Sequence, residues 1–255
     1  MDPKSQKIIQ PVLEVTALIA EYEERRILDG ITFSVQPGEI MVVLGKSGCG
    51  KSTLLRNITR LVEPAGGSVK YWNREVTCLE EDQFQEILRR IGISFQGGAL
   101  FNSLTVFDNV ALPLREWTEL PEEIIKALVM TKLSLVGLAE AAFYMPSDIS
   151  GGMKKRAGVA RALALDPELL FFDEPSAGLD PVTAAGLDNL ILELRRLLGV
   201  TIVVVTHELS SIKKIADRVL MLDKGKIAFL GTLKEAMQSD IPVVENFFTR
   251  GEKSG

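Results

Sequence analysis

The distribution of apolar and polar residues predicts strands interleaved with helices. VLEVTALIA (12–20) and ILDGITFSV (27–35) intersperse apolar with polar positions in near alternation, the mark of strands with one buried face. A turn at Gln36-Pro37-Gly38 leads into EIMVVL (39–44), a short, almost continuous apolar run typical of a strand buried on both faces. From 51 to 61 the spacing becomes helical. SVKYW (68–72) is a further strand candidate, EEDQFQEILRR (80–90) a charged helix and IGISF (91–95) a strand.

Between about 100 and 165 the character changes. TVFDNVALPLREW, PEEIIKALVMTKLSLVGL and GGMKKRAGVARALAL are helical in period, and no strand pattern interrupts them. This stretch is expected to be a helical subdomain inserted into an α/β core. LLFFDE (169–174) then predicts a strand, DPVTAAGLDNLILELRRLL (180–198) a helix and VTIVVVTH (200–207) a strand. A helix over 209–216, the strand RVLML and a short tail over about 240–255 complete the chain. Such alternation implies a largely parallel sheet covered on both faces. There is no internal repeat or long linker, so 1–255 is expected to be one domain with two lobes.

Composition narrows the function. The 255 residues carry a formal net charge of -5, with 46% hydrophobic and 25% charged residues. A nucleic-acid partner is not expected, because such proteins draw most of their affinity from a basic excess. The run Lys154, Lys155, Arg156 is too short to alter that and is expected to be a solvated helix face. No apolar run approaches the roughly 20 residues of a membrane-spanning helix. The N-terminal residues lack a signal-peptide core, so a cytosolic location is expected. Cys49 and Cys78 have no metal-ligand spacing around them.

The segment Gly45-Lys46-Ser47-Gly48-Cys49-Gly50-Lys51-Ser52 matches G-x-x-x-x-G-K-[ST], and Thr53 continues it into a predicted helix. Glycines there allow backbone N–H groups to curl around a phosphate, and the helix aims its positive end at the same anion. Lys51 would neutralise the β- and γ-phosphates, and the Ser52 hydroxyl would ligate Mg²⁺. Cys49 inside this loop is either a redox-sensitive group or a small residue that fits. Asp173 and Glu174 end a predicted buried strand. Beside a phosphate loop, Asp173 would lie near Mg²⁺ and Glu174 where it can take a proton from an attacking water.

Six further segments follow the order of the ABC transporter ATPases, which the chain resembles from about 13 to 237. Tyr22 matches the aromatic that stacks on adenine in that family. Gln96 matches the glutamine that contacts Mg²⁺ and the membrane partner. Ser150-Gly151-Gly152-Met153 matches the signature, usually Ser-Gly-Gly-Gln. Asp173 and Glu174 match the acidic pair, Ala177-Gly178-Leu179-Asp180 the D-loop and His207 the switch histidine. The resemblance implies a P-loop ATPase core of mixed sheet, with an antiparallel β subdomain and the helical insertion. It implies ATP and Mg²⁺ as ligands, with Ser52, Gln96 and Asp173 on the metal. It also implies a head-to-tail homodimer, in which the signature of one chain contacts the ATP held by the other.

Met153, followed by Lys155-Arg156, is similar to the SGGMxKR variant of the Mla/Mce lipid-transport ATPases. Residues 95–110 and 174–181 resemble that subfamily too. This implies a peripheral subunit on the cytoplasmic face of an inner membrane, energising phospholipid transport. Its implied partners are an integral permease, a periplasmic MCE-type lipid-binding protein and a small STAS-domain protein. The same engine on another importer, such as one for polar amino acids, and a soluble ABC ATPase remain as alternatives. The apolar stretch after Gln96 is either part of a permease groove or core packing. Phe247 and Phe248 either dock on a neighbouring chain or lie in a disordered tail.

Overall fold

The computed structural model describes residues 10–250. Strands β1 (Leu13–Tyr22), β2 (Arg25–Val35), β3 (Ile40–Leu44), β4 (Gly66–Tyr71), β5 (Arg74–Glu75), β6 (Ile91–Ser94), β7 (Leu169–Asp173), β8 (Thr201–Val205), β9 (Arg218–Asp223) and β10 (Lys226–Thr232) form two sheets. The first has the order β2-β1-β4-β5 and is antiparallel. The second has the order β10-β9-β3-β8-β7-β6 and is parallel apart from β10.

Alternation along the central strands divides the interior into two layers, because successive side chains of a strand point to opposite faces. Ile40 and Val42 of β3, Ile202 and Val204 of β8, and Leu170 and Phe172 of β7 enter the layer shared with most of the helices. Met41 and Val43, Val203 and Val205, and Leu169 and Phe171 enter the layer between the two sheets. Burial on both faces explains why these strands read as continuous apolar runs. Each such side chain contributes about 1.5–3 kcal/mol by leaving water.

The helices are α1 (Lys51–Ile58), α2 (Glu81–Leu88), α3 (Val106–Trp117), α4 (Glu122–Leu135), α5 (Gly151–Ala162), α6 (Pro181–Leu198), α7 (Leu209–Ile215), α8 (Leu233–Met237) and α9 (Pro242–Arg250). The expected helical stretch of 100–165 holds α3, α4 and α5, packed on one another through Val110, Leu114, Val129, Leu133, Ala157 and Ala160. None of these helices, nor any other described, is long and apolar enough to cross a membrane.

Two readings change. The tail is ordered where it is described: α9 buries Val244 and Phe248 in the chain's own core, with Phe247 half-buried beside them. A disordered tail does not fit that packing over 242–250; residues 251–255 of the expected tail lie outside the described residues. Lys154, Lys155 and Arg156 are not a solvated face either. Lys155 is buried, and its ammonium donates to the carbonyl oxygens of Pro175 and Ala177. Arg156 donates to the carbonyl of Val136.

The register of the second sheet fixes the site. Val43 and Asp173 both pair with Val205, so β3, β8 and β7 end level with one another. Their carboxyl ends, with that of β6, open onto one crevice, the usual ligand position in such sheets.

Candidate active site

The loop after β3 starts with the backbone at positive φ. Gly45 sits at φ +147°, and a Cβ there would lie 2.4 Å from the Leu222 carbonyl oxygen and 2.7 Å from the Cys49 sulfur. Gly50, the N-cap of α1, sits at φ +108° against Leu28. Only glycine meets both demands. Lys51 is buried and arches back over the loop, its Nζ donating to the carbonyls of Gly45 at 2.9 Å and Lys46 at 3.3 Å. Cys49 is buried, and burial pushes its thiol above the usual range against the pull of Lys51.

Asp173 ends β7. Its Oδ1 is buried and has no hydrogen-bond partner. Burial raises its carboxyl above the ordinary range, the neighbouring Glu174 adds to this, and Arg56 and Lys51 oppose it. A buried carboxylate oxygen with no protein partner fits a hard divalent cation such as Mg²⁺, which takes oxygen ligands and few of them from protein.

Glu174 follows in a left-handed conformation, φ +46°, unusual outside glycine and costing of order 1–3 kcal/mol. Its N–H donates to the Val205 carbonyl at 2.8 Å, which ties the turn to β8. Its Oε1 meets Nδ1 of His207 at 2.9 Å, while Oε2 is buried and unpartnered. The Glu174 side chain is 13% exposed and that of His207 53%, so the imidazole closes the carboxylate from the solvent side.

A cavity of about 760 Å³ joins the loop to Glu174 and His207, and Asp173 is not among the residues that line it. Ser47, Gly48, Gly50, Lys51, Ser52 and Thr53 form its floor, with Gln96, Glu174 and His207 at one side. Tyr22, 70% exposed at the end of β1, lines the other with Glu21 and Ile27. An exposed aromatic over a glycine-lined phosphate floor suits a nucleotide base. Arg56, Asn57 and Val62 also line the cavity, and sequence reasoning passed over them. For Arg56 a signal existed: it stands four residues beyond Ser52 on a helix, hence on the same face.

The signature segment and Asp180 lie outside this cavity. Ser150 caps α5, its Oγ accepting the Met153 N–H at 3.2 Å, with Gly151 and Gly152 in the first turn. Asp180 caps α6, accepting the N–H groups of Val182 and Thr183 at 3.0 Å. These bonds, led by that from the Thr183 hydroxyl, hold its carboxyl below the usual range. So the chain carries a glycine-lined loop with an acidic pair close by, and, outside the cavity, a second helix N-terminus of the kind that holds anions.

The chain is similar along most of its length to known ATP-binding proteins. Residues 28–177 match the family described as ABC transporter. The chain is 40% identical over 247 residues to the intermembrane phospholipid transport system ATP-binding protein MlaF of Haemophilus influenzae, covering 96% of this chain and 93% of that one. It is 43% identical to MlaF of Escherichia coli over 88% of this chain and 83% of that one. A Mycobacterium tuberculosis protein described as a probable ribonucleotide transport ATP-binding protein is 40% identical over 92% of this chain and 66% of its own length. Among solved structures, cbiO1 of Clostridium perfringens, part of the ABC transporter complex cbiONQ, superposes with a TM-score of 0.82 at 28% identity, over 92% of this chain and 94% of that one. A dimeric ATP-binding cassette in a post-hydrolysis state with ADP and Pi gives 0.80 at 29%, over 87% and 98%.

Proposed function

The chain belongs to the ABC transporter family and hydrolyses ATP, and we propose that it energises phospholipid transport between an inner and an outer membrane. One observation carries this reading: the likeness to a phospholipid-transport ATP-binding protein runs along 96% of this chain and 93% of the relative. The probable ribonucleotide transporter component is as similar residue for residue but extends well beyond this chain, which covers 66% of it. Met153 in place of the usual glutamine also supports the lipid-transport reading.

The residues divide the work as follows. The loop N–H groups and Lys51 bind the phosphates, and Tyr22 stacks on the base. Ser52, Asp173 and Gln96 would hold Mg²⁺, which when bound offsets charge on the β- and γ-phosphates. Glu174 takes the proton of the attacking water through its free Oε2, and His207 holds Oε1 and faces the γ-phosphate. Ser150, Gly151, Gly152 and Met153 serve the ATP of a second copy, since they lie away from the chain's own cavity. Asp180 sits beside that junction. ATP then favours a closed homodimer, and loss of the γ-phosphate opens it.

The apolar stretch after Gln96 packs into the chain's own core, with Val106, Phe107 and Val110 buried, so we place the permease instead in the groove of about 400 Å³ between the strand β6 and helices α3 and α5, lined by Leu88, Phe95, Pro113, Trp117 and Leu165. The whole of 1–255 acts as one ATPase unit, peripheral on the cytoplasmic face of the inner membrane, with MCE-type and STAS-domain partners. Gentle purification of the tagged protein from native membranes, with mass spectrometry of proteins and lipids, tests this. A permease, an MCE-type protein and bound phospholipid are expected. A different permease without lipid would move the assignment to another importer.

A further inference from the structure

Helix α5 carries Lys155, 8% exposed, five residues beyond its cap at Ser150. The Lys155 Nζ donates to the carbonyl oxygens of Pro175 at 2.7 Å and Ala177 at 2.5 Å. Both acceptors lie in the connection between Glu174, at the end of β7, and Asp180, the cap of α6. A buried ammonium is costly unless its protons are taken up, whereas an apolar side chain of similar length would fill the space without that cost. Packing alone therefore does not explain a lysine at 155.

The connection it grips turns sharply. Glu174 stands at φ +46° and Gly178 at φ +74°, and the Ser176 hydroxyl is buried without a partner. Two turn bonds brace it from within, Ala177 N–H to the Glu174 carbonyl at 3.2 Å and Leu179 N–H to the Ser176 carbonyl at 3.1 Å. Farther along α5, Arg161 donates to the carbonyls of Gly98 and Ala99, which follow Gln96. The helix is thus bonded to the loop of the glutamine as well as to that of the carboxylate.

We propose that Lys155 is a positioning residue that ties the Ser150 end of α5 to the backbone carrying Glu174. The phosphate-binding end presented to the nucleotide of a second copy and the carboxylate acting on the chain's own nucleotide then move together. This rests on the roles given above to Ser150 and Glu174. Lys155 itself touches no reacting atom, so its removal affects turnover and leaves ATP binding in place.

The test is steady-state ATPase kinetics of the full chain, in the complex it purifies with, for Lys155→Met and Lys155→Gln. ATP affinity and thermal melting are measured on the same samples. Lys155→Met is expected to lower kcat roughly ten- to hundredfold, the scale of a misplaced catalytic group. KM and Kd for ATP should stay within about twofold, as for an effect confined to the transition state. Lys155→Gln keeps a donor and should recover part of kcat. A purely structural role would lower the melting temperature but leave kcat per folded site unchanged. A folded Lys155→Met with native ATP affinity and kcat within about twofold of the parent overturns the proposal. Should that variant not fold, the same result from Lys155→Ala, which also lacks a donor, overturns it. Glu174→Gln is assayed alongside: full activity there removes the base assignment and this proposal with it. An inactive Glu174→Gln beside a normal Lys155→Met removes the positioning role alone.

Discussion

His207 Nδ1 and Glu174 Oε1 lie 2.9 Å apart across 33 residues of sequence, and the second oxygen of Glu174 has no partner. One oxygen is therefore oriented, and the other is buried with no competing hydrogen bond. Removing the negative charge while keeping the shape separates chemistry from binding. Glu174→Gln is expected to lose roughly 10²–10⁴-fold in ATPase rate, the usual worth of a positioned base. It should still bind ATP and stay dimeric with it, as read by size-exclusion chromatography. Full turnover in this variant would place the base elsewhere.

Lys51 Nζ donates to the carbonyls of Gly45 and Lys46, which holds its ammonium over the loop. Lys51→Ala removes a buried charge that phosphates would meet. A charge-assisted hydrogen bond contributes about 1.5–3 kcal/mol, so ATP affinity should fall roughly ten- to hundredfold. Fluorescent-nucleotide titration measures this directly, and an unchanged Kd would refute the phosphate-loop assignment.

The second sheet was legible because burial on both faces writes itself into a sequence as continuous apolar runs, as in 39–44 and 169–172. The turn from β3 into α1 was legible because glycine and lysine stand there at the spacing that a phosphate loop demands. The role of Lys155 was not, since its acceptors are backbone oxygens 20 and 22 residues away and no residue type marks them. The edge strand β10 and helix α8 were missed for a different reason. Their signals were present, in the apolar run 227–230 and in Thr232 and Glu235, which form a capping box, but β10 is only partly buried and follows β9 after a two-residue turn, so the segment passed as tail.

Gly45→Ala tests how tightly the loop is built. A Cβ would stand 2.4 Å from the backbone oxygen of Leu222, which belongs to β9 and has little freedom to yield. The backbone angle of φ +147° adds strain for any L side chain. The variant should melt several degrees lower, since about 1 kcal/mol shifts the midpoint by roughly 2–4 °C in a chain of this size. It should also lose ATP binding. A melting curve and nucleotide titration like the parent's would mean the loop adopts another path.

The two thiols provide the last prediction. Cys78 is exposed, whereas Cys49 is buried inside the phosphate loop and burial pushes its thiol up. A raised pKa means a smaller thiolate fraction at any given pH, and the thiolate is the nucleophile. Both factors act in one direction, so limited alkylation with iodoacetamide at pH 8 should modify Cys78 while Cys49 stays intact. Unfolding in urea should make the two react alike. Peptide mass spectrometry after a timed quench resolves the two sites. If Cys49 reacted as fast as Cys78 in the native protein, the loop would open in solution and the redox-sensitive reading of Cys49 would regain ground. Slow reaction leaves Cys49 as a small residue packed against Gly45, where its sulfur fills the space that a Cβ is denied.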